Sequence, residues 1–231
     1  MDYKQELKKW ISDDYERRVK QWMASDPAQL LDDAEAIAAT QLIRDNIDEA
    51  MDYLKILHEN PDLADEFDLL FDFFLLDELS PRDDAEGRCT FSLPGMAFAR
   101  DGSGGEYHLL EDGSIGYYSS EGEAGRLAES MADLFSLLVN CICWHDCCDT
   151  KQYVDSKTLE EYGQRQRNCN LEDMDMDSLR RVSDALGIPT DEPLAPVLER
   201  FRKATQREPL YQCIFHEDDG SLTESYGLMF E

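Results

Sequence analysis

The sequence predicts an α+β fold in which a small antiparallel or mixed sheet packs against helices. Three observations lead to this prediction. Residues 1–79 place apolar side chains at helical spacing, residues 96–119 have the pattern of short strands, and residues 176–230 indicate two helices and a hairpin. We therefore expect a helical N-terminal segment (1–79) and an α+β domain (80–231) with a C-terminal helix pair and hairpin. The alternative is one continuous domain.

The N-terminal segment is expected to contain several amphipathic helices. Asp26 and Pro27 mark a break and restart, because aspartate is a good N-cap and proline suits the first turn of a helix. Residues 62–79 are predicted to form a further helix, the most apolar and the most acidic of the chain. No lysine or arginine occurs between Lys55 and Arg82. We expect the apolar residues of this helix to face the core and its acids to face solvent.

A hairpin is the clearest local signal in the chain. Two β-prone runs, Glu106–Leu110 and Ile115–Ser119, flank an Asp112-Gly113 pair, and Asp-Gly between such runs is a strong hairpin signal. The turn-rich sequence Asp101–Gly105 precedes the first run, and residues 96–100 form a further predicted strand. Four side chains are expected to share one face of the hairpin: Tyr107, Leu109, Ile115 and Tyr117.

Helices are expected to follow the hairpin. Ser130 with Asp133 three residues later resembles a capping box, and apolar residues at helical spacing continue to Ile142. A later amphipathic helix should end at Gly187, because glycine adopts the left-handed conformation beyond a helix end without steric cost. Asp191 is expected to cap the next helix.

The C-terminus is expected to form a second hairpin. Residues 210–215 and 223–230 are rich in residues that favour strands, and they flank the turn-forming sequence Glu-Asp-Asp-Gly. Residues 176–230 are therefore predicted as two short helices followed by this hairpin, after a polar stretch (155–170) with one short helix around Leu159 and Tyr162.

The formal net charge of −29 over 231 residues is the most pronounced global feature. A surface this acidic repels nucleic acid and anionic membranes and favours encounter with a basic partner, an effect that salt screens. The chain has no apolar run of about 18 residues that could cross a membrane, and its polar N-terminus lacks the pattern of a secretory signal. Its seven cysteines are expected to be reduced thiols, so we expect a cytoplasmic protein that binds neither nucleic acid nor membranes.

Metal-ligand residue types are concentrated in one short stretch, which contains Cys141, Cys143, His145, Cys147 and Cys148. If the preceding helix continued, Cys141, His145 and Cys148 would share one side of it. A metal- or thiol-dependent enzyme centred on this stretch is therefore an alternative function. The spacing matches no standard pair of C-x-x-C motifs, and so negative a chain disfavours a thiolate. We expect no catalytic residues and no cofactor, while the question of a metal among these thiols stays open.

A second alternative is an inhibitor that mimics nucleic acid. Regularly spaced carboxylates along residues 62–78 could imitate a phosphate backbone and displace nucleic acid from an enzyme. This hypothesis predicts a continuous acidic ridge along one helix. An ordinary solvated helix face would explain the same charge pattern.

Several short motifs between residues 91 and 146 point to a known family. They are Gly104-Gly105-Glu106-Tyr107 before a strand, Leu110-Glu111-Asp112-Gly113-Ser114-Ile115-Gly116 through the turn, Ser119-Ser120-Glu121-Gly122-Glu123-Ala124-Gly125, Leu127-Ala128-Glu129-Ser130 at the helix entry, and Phe135-x-x-Leu138. In these motifs the chain resembles the SUKH superfamily of bacterial immunity proteins, which includes relatives of a yeast cell-wall-synthesis regulator. Leu93-Pro94 fits the family pattern, but its Asn-Gly-Gly element is missing, and the chain extends beyond the family core at both ends.

The resemblance implies an α+β fold and a non-catalytic protein that binds and blocks a cognate toxin, often a nuclease. It identifies no contact residues. From the charge pattern we expect the acidic loops beside the hairpin to bind a basic toxin surface, with one tyrosine as an aromatic anchor. The candidate contact residues are Asp101, Glu106, Glu111, Asp112, Tyr117, Tyr118, Glu121 and Glu123.

Overall fold

A computed structural model describes residues 33–81, 89–172 and 174–229; the predicted break at Asp26 and Pro27 lies outside these ranges. The helices described are α1 (Asp33–Glu59), α2 (Pro61–Phe71), α3 (Met131–Cys141), α4 (Ser156–Leu171), α5 (Met176–Leu186) and α6 (Leu194–Thr205). The strands described are β1 (Phe74–Pro81), β2 (Cys89–Phe91), β3 (Gly95–Arg100), β4 (Glu106–Leu110), β5 (Ile115–Tyr118), β6 (Ala124–Ala128), β7 (Cys213–His216) and β8 (Leu222–Glu224). Two short 3-10 helices, Trp144–Cys147 and Thr150–Gln152, follow α3. Over the described ranges, no helix has the length and apolarity needed to cross a membrane.

The strands form two antiparallel sheets, which together with the helices confirm the predicted α+β class. The larger sheet has five strands in the order β1-β3-β4-β5-β6, and the smaller has three in the order β2-β7-β8. The predicted central hairpin is formed by β4 and β5 in the expected register, with Tyr107 opposite Tyr117 and Leu109 opposite Ile115. The predicted strand before it is β3, and the predicted terminal hairpin consists of β7 and β8.

Two of the predicted helix ends are confirmed by their capping geometry. The Ser130 hydroxyl accepts a hydrogen bond from the Asp133 amide (3.2 Å), and this cap begins α3. Gly187 ends α5 in the left-handed conformation, with φ at 67°. These ends follow from local chemistry, and the sequence therefore predicts them well.

The prediction that Asp191 caps α6 is wrong. Pro193 occupies the N-cap position, and proline has no side-chain acceptor for the first-turn amides. The carboxylate of Glu160 in α4 accepts a hydrogen bond from the Ala195 amide instead (2.7 Å). The cap is supplied by another helix, which local sequence signals do not reveal.

Helices and the small sheet cover opposite faces of the five-stranded sheet. In β4, Tyr107 points to the helix side and joins the main core, while the buried His108 points to the other side. There the Tyr211 hydroxyl is hydrogen-bonded to His108 Nδ1, and its ring covers Gly116. A Cβ at Gly116 would lie 2.8 Å from the Tyr211 ring, so the close approach of the segment before β7 requires glycine.

The predicted helix over residues 62–79 is wrong in its second half. α2 ends at Phe71, Asp72 adopts a left-handed conformation (φ 51°, ψ 51°), and residues 74–81 form β1, which pairs with β3. The apolar run at the start of β1 suits a helix and a buried strand equally well, and only the partner strand decides between them. The single acidic helix that a nucleic-acid mimic would need is therefore not formed.

β1 also crosses the boundary predicted between residues 79 and 80. A continuous core cluster extends from Ile47 in α1 to Leu228 near the C-terminus and includes residues from both predicted parts. At its centre the buried ring of Phe135 in α3 lies 5.1 Å, between ring centroids, from rings of both α1 and α2. The described residues on the two sides of the boundary thus share one core.

Candidate protein-binding surface

The strand register brings most of the predicted contact residues to one end of the five-stranded sheet. Glu106, the first residue of β4, lies opposite both Arg100 and Tyr118. The loops 101–105 and 119–123 therefore meet at this end. Six of the eight predicted contact residues lie here: Asp101, Glu106, Tyr117, Tyr118, Glu121 and Glu123.

Asp101 organises the 101–105 loop from within and is not part of the exposed surface. The residue is 5% exposed, and its Oδ1 accepts hydrogen bonds from the Ser103 amide and hydroxyl and from the Gly105 amide, at 2.7–3.0 Å. Burial alone would raise the pKa of the Asp101 carboxyl, but hydrogen bonds from Tyr117, Ser103 and Gly105 hold it below its usual value. The carboxylate is engaged inside the loop and is not offered to a partner.

Tyr117 also lies inside the domain and is only 1% exposed. Its hydroxyl donates to Asp101 Oδ2 (2.5 Å), and its ring packs edge-on against Trp144, 5.0 Å away between ring centroids. The His145 ring stacks on the Trp144 ring, with 3.6 Å between the ring centroids. Tyr117 therefore supports the end of the sheet from beneath and does not serve as a surface anchor in this structure.

Tyr117→Phe is expected to lower the free energy of unfolding by about 1.5–3 kcal/mol, because it removes a hydrogen bond to a buried carboxylate. Since that bond helps hold the pKa of Asp101 below its usual value, the loss should be largest near neutral pH and smaller in acid. Urea unfolding at several pH values measures both effects. Tyr226→Phe is the matched control. Because Tyr226 is 76% exposed, this change should leave the free energy of unfolding almost unaltered. Equal stability of the two variants would contradict the supporting role of Tyr117.

The 119–123 loop presents carboxylates to solvent. The buried Ser119 holds it in place, since its Oγ accepts hydrogen bonds from the amides of Glu121 (3.2 Å) and Glu123 (2.9 Å). Glu121 is exposed and Glu123 is half-buried. Glu106 is half-buried on the adjacent strand, with Oε2 3.3 Å from Nε2 of His108. Glu121 is therefore the most accessible of the predicted contact acids.

An exposed tyrosine that the sequence analysis did not select lies beside this loop. The Tyr226 amide donates to the Gly122 carbonyl (3.0 Å), and its own carbonyl accepts from the Ala124 amide (2.8 Å). The side chain is 76% exposed. The half-buried Tyr118 lies at the end of the neighbouring strand. Because Tyr226 is about a hundred residues away in the sequence, no local pattern connects it with the loop.

Two further segments add negative charge at the same end. β7 runs toward it, since Phe215 lies beside Tyr118 (6.5 Å between ring centroids), and the acidic turn 217–221 follows. The exposed Asp72 accepts a hydrogen bond from the Gly102 amide (3.1 Å) and so borders the 101–105 loop. We call this region the acidic end, defined by Asp72, the loops 101–105 and 119–123, the turn 217–221 and Tyr226.

The other two predicted contact acids lie in the turn after β4, about 17 Å away along the strand. Asp112 is bound to two arginines, with Oδ2 2.9 Å from Arg126 Nη2 and 2.7 Å from Arg207 Nη2. Glu111 is half-buried, and its amide donates to the Pro94 carbonyl (3.0 Å). A partner that covers the acidic end would therefore not contact these two residues at the same time unless it were large.

The cysteine-rich stretch does not form the helical cluster on which the enzyme alternative depends. α3 ends at Cys141, the next residue turns the chain with φ at 68°, and a separate 3-10 helix follows. Cys141, Cys147 and Cys148 are buried, and burial raises the pKa of Cys143 to about 11. Among the described residues, no group of three or more histidines, cysteines or acids could hold a metal ion. The stretch packs as small apolar side chains at a helix end.

Comparisons with protein-family models, with curated proteins and with solved structures found no match to this chain. The residues themselves must therefore carry any functional assignment. Of the surfaces described above, the acidic end is the one where predicted contact acids, an exposed tyrosine and two remote parts of the chain meet.

Proposed function

We propose that the protein is a non-catalytic, SUKH-like immunity protein that neutralises a basic, nuclease-like toxin by direct binding through the acidic end. One observation carries the proposal. The loop 119–123 and the turn 217–221 carry Glu121, Glu123, Glu217, Asp218 and Asp219 and no lysine or arginine, and the fold brings both to the same end of the sheet. Chain segments far apart in the sequence thus build one negatively charged surface.

The chemistry of the acidic end suits capture of a basic protein. Its carboxylates would attract positive charge over long range and accelerate association, in a manner that depends on ionic strength. Exposed tyrosines supply much of the affinity at many protein interfaces, because they bury a large apolar area and lose little conformational entropy. Tyr226 is such an exposed tyrosine, and the carboxylates of Glu121 and Glu123 lie in the loop beside it.

The proposal predicts a salt-dependent complex with a basic nuclease toxin domain. The probes are purified, catalytically inactivated toxin nuclease domains of basic charge, among them the product of the adjoining gene. We expect one of them to bind, and we expect Glu121→Lys with Glu123→Lys to slow association at least about tenfold at low salt. Tyr226→Ala should mainly accelerate dissociation. Surface plasmon resonance at two ionic strengths measures both rates.

A matched double reversal provides the control. Glu172 and Asp184 are exposed acids on the helical side of the molecule, so Glu172→Lys with Asp184→Lys changes the net charge equally without touching the acidic end. We expect this variant to bind nearly as well as the unchanged protein. No binding by any probe, or equal losses in the two double variants, would contradict the proposal.

A further inference from the structure

α2 and α5 cross at the surface, with a groove on each side of an ion pair that joins them. The carboxylate of Glu66 binds the Arg181 guanidinium at two nitrogens, at 2.6–3.2 Å. A groove of about 680 Å³ lies toward the C-terminus of α1 and the start of α2, and a groove of about 290 Å³ lies toward the start of α5. We call the two grooves, together with the ion pair between them, the seam. It follows α5 from Asp175 to Ala185, which is about three turns or roughly 16 Å.

Both grooves are lined by apolar side chains. Leu69, at the smaller groove, is 85% exposed, although leucines in amphipathic helices usually face the core. Leu70 and Met174 line the same groove, and Ile56 and Leu63 line the larger one. The apolar lining thus continues along the seam on both sides of the ion pair, in the manner of surfaces that receive an amphipathic helix.

The rim of the seam is acidic, and two bases beside it, Lys55 and Arg181, are already paired. Glu59, Asp62 and Asp175 line the grooves, and no lysine or arginine occurs from residue 56 to residue 79. Of the neighbouring bases, Lys55 is paired with Glu59 (3.8 Å), and Arg181 is held by Glu66. A partner with lysines or arginines flanking its apolar stripe would therefore find complementary charge on the rim.

We infer that the seam between α2 and α5 is a docking site for a basic amphipathic helix of a partner protein. The inference does not rest on the acidic end, which lies at the strand ends of the sheet and uses loops. Leucine or methionine side chains of the incoming helix would occupy the two grooves, and its basic residues would lie over Glu59, Asp62 and Asp175. Leu69 would be the principal apolar contact offered by this chain.

A model peptide tests the inference without knowledge of the natural partner. The probe is a fluorescent leucine–lysine peptide of about five helical turns with its leucines on one face. The comparison peptide has the same composition with its leucines distributed around the helix. We expect the amphipathic peptide to bind more tightly, and we expect Leu69→Asp to weaken its binding about tenfold. Fluorescence anisotropy measures the dissociation constants.

Val154→Asp is the matched control, because Val154 is 71% exposed and is not among the residues that line the seam. Circular dichroism checks that both variants are folded. Methionine methyl resonances locate the peptide, since Met174 lines the smaller groove and Met131 is buried in the core. Equal affinity for the two peptides, equal effects of the two aspartates, or a shift of Met131 without one of Met174 would overturn the inference.

Discussion

Phe135→Ala is expected to lower the free energy of unfolding by about 3–5 kcal/mol, because it leaves a cavity where α3 packs against α1 and α2. The ring is fully buried. It lies 5.1 Å from the rings of Tyr53 in α1 and Phe67 in α2, and 6.2 Å from that of Phe73, the residue before β1. None of these neighbours can fill the space without losing its own contacts, so little of the cavity should close.

Urea unfolding measures this loss, and the shape of the transition tests the single core. If the helices before residue 80 formed a separate domain, the variant would unfold in two steps. We expect one cooperative transition, shifted to lower urea. Phe74→Ala is the control for removal of a phenyl ring. Because Phe74 is 37% exposed, this change should lower the free energy of unfolding much less. Two transitions, or similar losses in both variants, would contradict the shared core.

The parts of the fold that could be predicted from the sequence are those whose cause is local. The β4–β5 hairpin follows from an Asp-Gly turn between alternating residues, and the start of α3 follows from the Ser130 cap. The errors lie where the decisive contact is remote. Nothing in the sequence around β1 reveals that β3 will pair with it, and the cap of α6 comes from Glu160 in another helix.

The contact residues of the binding surface likewise fall into those that the sequence could predict and those that it could not. Charge patterning selected Glu121 and Glu123, which do lie near the surface of one loop. The same reasoning selected Asp101 and Tyr117, because a loop acid and a strand tyrosine are usually partly exposed, yet these two satisfy each other inside the domain. Tyr226 was missed, because its position beside Gly122 depends on a contact between two segments far apart in the sequence.

The largest electrostatic effect is expected at Arg126, whose side chain is 1% exposed. Its Nε donates to Ser114, Nη2 donates to Asp112 (2.9 Å), and Nη1 donates to the carbonyl oxygens of Arg207 (2.7 Å) and Pro209 (2.6 Å). A single guanidinium thus joins the turn after β4 to the segment that crosses the second face of the sheet. Removing it would take away the donor of four hydrogen bonds, although Asp112 would keep its bond from Arg207.

Arg126→Met is therefore expected to lower the free energy of unfolding by about 3–5 kcal/mol at neutral pH, although methionine fills similar volume. Burial alone would raise the pKa of Asp112, but Ser114, Arg126 and Arg207 together hold it below its usual value. Asp112 therefore stabilises the fold above the unfolded-chain pKa of about 3.9, and this contribution is lost as the pH falls through its lower folded value. Without Arg126 that folded pKa rises, so the two proteins should differ most near neutral pH and less in acid.

Urea unfolding from pH 7 into the acid range tests both the size and the pH dependence of this effect. Arg180→Met is the matched control, because Arg180 and its partner Asp177 are both exposed. Loss of this ion pair should lower the free energy of unfolding by no more than about 0.5 kcal/mol. If Arg126 acted only by filling space, methionine would restore most of the stability, and the remaining difference would not change with pH. A small, pH-independent loss would therefore show that packing, and not charge, holds the segment before β7 on the sheet. We expect a large loss that becomes smaller in acid, because the half-buried Asp112 carboxylate is charged at neutral pH and becomes neutral when it is protonated.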